Sequence, residues 1–360
     1  MENFNNYIVN LSNLKNNFNE IKQCVGANVK VCAMVKADAY GHGLKDVCNA
    51  LVGADFFGVA SVFEAKKIRK FNKFTNILVV GVSNLENIIW CGCANVSVTV
   101  SSVSELNKII SILNGAKIKV HIKINTGLNR IGVNTISEFK QILRIIKDNN
   151  NIMLEGVFTH FATKLNDVEF MLKQYEKFCS FTKFVDNQDV IIHCCNSFAT
   201  LWFNKFHNGM VRCGFNLYGW QLASPLNLKP VLNITSKIVF IHKIKKGESV
   251  GYDRDFIADK NMIVAVLPIG YADGLDRRLS NNFSVLVNGE WAKIIGNICM
   301  DVCMVDITAI NAAVGDDVVL LGNSGKLELT PHNYASVLGT SPYEILLKFK
   351  YDRMNRILIK

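Results

Sequence analysis

Apolar and polar positions along this chain change rhythm once. Up to about residue 224, short and nearly continuous apolar runs alternate with longer segments of helical apolar spacing. The runs cover 29–35, 56–60, 77–80, 96–100, 118–124, 153–158 and 190–194, of which 118–124 is rich in β-branched residues but carries Lys119, His121 and Lys123. Helix-spaced segments such as 103–113, 136–147 and 168–184 lie between them. Strands apolar on both faces with intervening helices predict a parallel sheet. Seven or eight such units in about 220 residues suit a TIM (β/α)8 barrel better than a doubly wound sheet. No G-x-G-x-x-G follows the first run, which disfavours a dinucleotide site. From residue 226 the runs are short and β-like: 238–244, 262–267, 284–287, 292–295, 302–307 and 317–321. Turn signals separate them, among them Asn288-Gly289, a hairpin signal between apolar runs. All five prolines (Pro225, Pro230, Pro268, Pro331 and Pro342) fall after residue 224. The expected fold class is α/β: a barrel over 1–225 and a mostly-β domain over 226–360, the first residues being free to pack with the latter.

Composition narrows this picture. Hydrophobic residues make up 49% of the 360 and charged residues 19%, enough apolar material for a large core and too much for a disordered chain. The net charge of +10 raises the question of an anionic partner. The most basic stretch, Glu64 to Phe74, reads as one solvated face of a barrel helix, because no nucleic-acid reading motif accompanies it. No apolar run approaches the length of a membrane span. The opening Met1-Glu2-Asn3-Phe4-Asn5-Asn6 shows no basic segment before an apolar one, so a cytoplasmic location without a secretory leader is expected. The 11 cysteines cannot all pair, and most sit in apolar runs as reduced thiols do. Neither Cys91-Gly92-Cys93 nor Cys299-x3-Cys303 has a second pair at zinc spacing, so no metal is expected.

In a barrel of this type, chemistry gathers where strands end. The first run ends Val35-Lys36-Ala37-Asp38-Ala39-Tyr40-Gly41-His42-Gly43. A lysine held by an apolar strand can lose proton affinity by desolvation, as a Schiff-base lysine requires. Taken alone, Lys36 reads more simply as a lysine that snorkels to water. The segment as a whole resembles the pyridoxal-phosphate attachment motif of the alanine racemases, matching at Lys36, Ala37, Ala39, Tyr40, Gly41, His42 and Gly43. The resemblance continues in order along nearly the whole chain.

That resemblance implies a fold, a cofactor and roles. Lys36 would carry pyridoxal 5'-phosphate. Arg130, in Asn125-Thr126-Gly127-Leu128-Asn129-Arg130, would reach the cofactor's phenolic oxygen and the substrate carboxylate. Asn125 and Asn129 stand where Asp and Gly are more usual, and Asn tolerates the left-handed backbone that a Gly site demands. Lys123 matches a lysine that is carbamylated in some members. His160 would support the ring from Thr159-His160-Phe161. Ser197, Tyr40 and the backbone amides of Gly214 and Phe215 would form the phosphate cup, and Arg212 would face the pyridine nitrogen. Arginine does not readily give up its proton, so that nitrogen stays unprotonated, which favours prompt reprotonation over decarboxylation.

In the β domain, Gly251-Tyr252-Asp253 resembles the segment of the second base, opposite Lys36. Tyr271 would wall the entrance and the Met300 amide would hold the substrate carboxylate. The family implies a homodimer in which Tyr252, Tyr271 and Met300 serve the partner's barrel. The expected activity is interconversion of L- and D-alanine for peptidoglycan precursors, the alternative being a serine or broad-specificity racemase of the same family. A non-catalytic cofactor carrier would leave the segments around Tyr252 and Met300 without purpose.

Overall fold

The computed structural model describes residues 4–163, 167–221 and 223–360. Met1-Glu2-Asn3, part of the segment read for a leader, lies outside the described residues. Two compact units emerge: one is Leu14–Lys229, and the other joins the segment ending at Asn13 to Pro230–Lys360. The first strand, β1 (Asn6–Asn10), belongs to the second of these.

Among the described residues, eight parallel strands build the first unit. They are β2 (Lys30–Met34), β3 (Phe56–Val59), β4 (Asn76–Val79), β5 (Val96–Val100), β6 (Ile118–Lys123), β7 (Ile152–Phe158), β8 (Ile191–His193) and β9 (Met210–Cys213). Each of β2 to β7 pairs with the next in sequence, and β9 returns to pair with β2. Between β8 and β9 the barrel is nearly closed by two backbone bonds, Gly209 N to Ile192 O at 3.0 Å and Arg212 N to Cys195 O at 3.1 Å. The apolar runs are continuous because every residue of β3 and β5 is buried, core on one face and helices on the other.

The helices begin where the sequence supplies caps. Ser61, Ser102 and Thr135 accept the amides of Glu64, Glu105 and Glu138 at the starts of helices Val62–Arg69, Val103–Ile112 and Ile136–Lys147. This Ser/Thr-x-x-Glu spacing satisfies amides that a first turn otherwise leaves without partners, and such a cap contributes about 1 kcal/mol. One expectation fails here. Arg69 does not lie on a solvated basic face; it is buried and donates to the carbonyls of Asn72, Ala94 and Asn95.

The second unit is strand-rich. Its main sheet runs β16 (Glu290–Lys293), β15 (Ser284–Val287), β18 (Asp317–Ser324), β10 (Leu232–Lys237), β1 and β20 (Asn355–Ile359), with β19 (Leu327–Leu329) paired to β18. A smaller sheet holds β11 (Phe240–Ile244), β14 (Met262–Leu267) and β17 (Cys303–Asp306), and β12 (Ser249–Val250) pairs with β13 (Phe256–Ile257). The hairpin at Asn288-Gly289 forms with both residues at positive φ, 49° and 81°, and Val287 faces Glu290. That two-residue turn starts the returning strand at once, so β16 is Glu290–Lys293 rather than 292–295. Strands β1 (Asn-Tyr-Ile-Val-Asn), β10 (Leu-Asn-Ile-Thr-Ser-Lys) and β20 (Asn-Arg-Ile-Leu-Ile) escape an apolar-run reading because each is interrupted or flanked by polar residues, although burial alternates along all three.

Candidate active site

Lys36 stands directly after β2, and the backbone beyond it is unusual. Ala37, Asp38, Ala39 and Tyr40 all have φ between 52° and 54°, one turn of left-handed helix made of non-glycine residues. Each such residue costs about 1–2 kcal/mol. Fixed bonds hold the turn. Ala39 N donates to Val35 O at 2.9 Å, Gly41 N to Ala37 O at 3.0 Å, and Leu44 N to the Asp38 carboxylate at 2.8 Å. Glu64 accepts the amides of both Ala37, at 2.6 Å, and Ala60, at 2.7 Å. The sequence reading gave Glu64 no role. Its signal was the Ser61-x-x-Glu64 cap, but the contact with Ala37 depends on β2 and β3 being neighbours.

Tyr40, His42 and Tyr218 stack beneath this turn. The Tyr218 ring lies 5.1 Å from that of Tyr40 and 4.3 Å from that of His42, and its hydroxyl donates to Met34 O at 3.1 Å. The stack carries the Tyr40 hydroxyl to Gly214. A Cβ at residue 214 would lie 2.6 Å from that oxygen, so only glycine admits this approach. Ser197 caps the same place, its Oγ accepting Gly214 N at 2.9 Å, and Phe215 follows, buried. The four residues expected to form a cup, Tyr40, Ser197, Gly214 and Phe215, are thus gathered at the ends of β8 and β9.

Arg212 is buried on β9 and its guanidinium is held on several sides. Nη2 donates to Thr159 O at 2.7 Å and Cys194 O at 3.1 Å, with His160 Nδ1 at 3.4 Å. Nη1 donates to His193 Nδ1 at 2.7 Å and His193 O at 3.3 Å. The plane lies over the Phe158 ring, 5.3 Å from its centroid. Nε has no partner among the described residues.

The cations of this region depress one another's proton affinity. Burial, then Arg130, holds the Lys36 amine below the usual lysine range, with Glu64 pulling the other way. Burial and the charges of Arg130, Arg212 and Lys36 bring Lys123 down to about 7. His160 falls well below the ordinary histidine value through burial and then Arg212, Arg130, Lys123 and Lys36. Arg130 itself is exposed, on a loop that Asn125 ties together through Asn129 and Asn134. Asn129 has φ of 54°, the left-handed geometry expected of a Gly site.

Tyr252, Tyr271 and Met300 lie in the β-rich unit, all three exposed. Asn297 donates to Tyr252 O at 3.2 Å, while Tyr271 N donates to Cys299 O at 3.1 Å and Ala272 N to Met300 O at 3.0 Å. The loop Asn297 to Met300 therefore anchors both tyrosine segments. Tyr351 packs elsewhere in this unit, 5.6 Å from the Tyr7 ring.

A nearly closed parallel barrel with an amine, a guanidinium and an imidazole at its strand ends, on a chain that continues into a β-rich unit, defines the barrel class of amino-acid racemases. Comparison with known proteins bears this out. The family described as alanine racemase, N-terminal domain, matches residues 9–221, and alanine racemase, C-terminal domain, matches 231–358. Alanine racemase 2 of Caldanaerobacter subterraneus subsp. tengcongensis is 38% identical over 94% of this chain and 90% of its own length. The crystal structure of alanine racemase from E. faecalis superposes with a TM-score of 0.94 at 31% identity, covering 99% of this chain and 98% of that one. The histidine racemase of Leuconostoc mesenteroides subsp. sake superposes with a TM-score of 0.88 at 26% identity, covering 100% and 99%. The chain belongs to the alanine racemase family.

Proposed function

We propose that this protein interconverts L- and D-alanine with pyridoxal 5'-phosphate and supplies D-alanine for peptidoglycan. It would act in the cytoplasm as a homodimer in which Tyr252, Tyr271 and Met300 of one subunit serve the barrel of the other. No helix among the described residues is long and apolar enough to cross a membrane. The observation that carries the reading is the convergence of Lys36, Lys123, Arg130, His160 and Arg212, which strain one another electrostatically until an anion lies among them.

The residues fit this cofactor. Gly214 lets the Tyr40 hydroxyl approach beside Ser197, a cradle for phosphate that any Cβ would fill. Arg212 Nε is a donor without a protein partner, suited to an unprotonated pyridine nitrogen. Lys36 is an amine with depressed proton affinity, suited to a Schiff base. When bound, the cofactor would supply an electron sink that acidifies the substrate Cα proton. The protein's own residues do the rest. Lys36 takes or gives the proton on one face of Cα, and Tyr252 does so on the other. Arg130 and the Met300 amide hold the carboxylate. Arg212 keeps its own protons, which limits the electron sink and favours prompt return of the Cα proton over loss of carbon dioxide.

The test is an assay across several L-amino acids in heavy water. Deuterium should enter Cα while D-alanine accumulates; carbon dioxide release would instead indicate a decarboxylase. A second reading, a broad-specificity racemase, is favoured by the likeness to the histidine racemase. Comparable turnover of serine or histidine in the same assay would establish it.

Tyr252→Phe separates the two faces. The equilibrium constant between enantiomers is unity, so kcat/KM must fall equally in both directions, by about 10²–10⁴. Exchange of the Cα proton should survive for the one enantiomer whose proton Lys36 reaches. Proton NMR of each enantiomer in heavy water reads this, and equal loss of exchange for both would refute separate bases.

A further inference from the structure

Beneath Arg212 a row of buried polar side chains runs through the barrel, and none of it touches the residues assigned to cofactor or substrate except Arg212. Arg212 Nη1 lies 2.7 Å from His193 Nδ1, His193 Nε2 lies 2.9 Å from His121 Nδ1, and His121 Nε2 lies 3.0 Å from a Glu155 carboxylate oxygen. His193 and His121 are fully buried. The far end, Glu155, also accepts from Ser97 Oγ and pairs with Lys119 at 3.1 Å.

The row has one consistent direction. Arginine can only donate, so His193 Nδ1 must accept and its proton must sit on Nε2. That proton is donated to His121 Nδ1, which places the His121 proton on Nε2, where it is donated to Glu155. The carboxylate can only accept while ionised. Burial raises its pKa, but the bond from His121, then the bond from Ser97 and the charge of Lys119, hold it below the ordinary carboxylate range. His193 in turn is kept neutral by burial and by the adjacent Arg212 and His121.

The backbone is shaped for this row. Val120 pairs with Leu154 and His121 with Gly156, so Glu155 is the extra residue of a bulge in β7, a device that re-aims a side chain. A Cβ on residue 156 would lie 2.3 Å from His121 Nδ1, so glycine is what leaves room for the imidazole.

We propose that Glu155 is a positioning residue. Through His121 and His193 it fixes the tautomer that accepts from Arg212, and so sets the direction of the Arg212 guanidinium. The inference rests on the pyridoxal phosphate reading only for what Arg212 faces.

The test is NMR of the full chain labelled with 15N-histidine, with and without pyridoxal phosphate. Both imidazoles should carry their proton on Nε2. In Glu155→Leu the acceptor is gone and only Arg212 still favours the original tautomer, so a second set of histidine signals, with the His193 proton on Nδ1, should appear beside the first. Glu155→Gln keeps a carbonyl acceptor and should restore the original tautomers. In the loaded protein, Glu155→Leu should shift the visible absorption of the cofactor and Glu155→Gln should not. A proton on His193 Nδ1 in the unmodified chain overturns the proposal even if Glu155→Leu fails to fold. Unchanged tautomers in a folded Glu155→Leu also overturn it. Absence of any cofactor absorption in the unmodified chain would sink the cofactor reading and leave the tautomer result standing.

Discussion

Lys36→Ala is expected to lower alanine racemisation by at least about 10⁴-fold, because on the proposed reading it would remove both the point of cofactor attachment and one of two bases. Borohydride reduction of the unmodified protein should fix the cofactor to Lys36, and a peptide map should find the label there. Label on another lysine, or activity in Lys36→Ala above about 1% of the unmodified rate, would overturn the assignment. The expected loss is large because Lys36 is not a mobile surface amine. It is followed by four residues in left-handed conformation, tied by Asp38 and Glu64, and that strain is spent on a single amine direction. No neighbouring lysine can take over. Lys123 enters the site from a different strand and is itself buried against Phe158.

Lys123→Met is expected to stabilise the cofactor-free protein while impairing the enzyme. Lys123 has an amine at about 7 in the folded chain against 10.5 ordinarily, and it is almost fully buried. Between about pH 7 and 10.5 the unfolded chain therefore binds one proton more than the folded chain, and stability rises with pH across that window. Below pH 7 both states are protonated and the whole penalty remains. The interval corresponds to several kcal/mol, on the order of 5 at most. Denaturant melts at pH 6.5 should find Lys123→Met more stable by a few kcal/mol, the advantage shrinking toward pH 10. A constant difference between the two proteins across that range would contradict the buried-cation account. Carbon dioxide must be excluded, because an amine of such low proton affinity reacts with it to form a carbamate and release a proton. That carbamate would be an anion beside Arg130 and Arg212, so bicarbonate should stabilise the unmodified chain and leave Lys123→Met unaffected.

Much of this was legible in the residues. Seven of the barrel strands coincide within about a residue or so with the runs read from the sequence; most of these are nearly continuous in apolar residues, because a strand buried on both faces has no polar side to hide it, while 118–124 carries Lys119, His121 and Lys123. Lys36, His160 and Ser197 stand just after run ends and Arg130 on the loop after a run, where barrels place chemistry, while Arg212 was found through its family segment. The β-rich unit was less legible. Strands β1, β10 and β20 are only partly buried and carry polar residues within or beside a few apolar ones, so an apolar-run reading passes over them. Glu64 was missed and Arg69 misread for a related reason: charge in a sequence suggests solvent, and only the carbonyls and amides brought beside a side chain decide otherwise.

By itself the sequence determined the alternation of buried strands and capped helices, the change of architecture near Pro225, and the order of motifs that mark the family. Those are local properties, set by which residues avoid water and which can cap or turn a chain. Only the tertiary structure decided that Glu64 holds the left-handed turn after Lys36. It alone set Lys123 among three other cations, and set His121, His193 and Glu155 in one directed row under Arg212. Proton affinity and tautomer depend on distances between groups far apart in sequence, and those distances exist only once the barrel has closed.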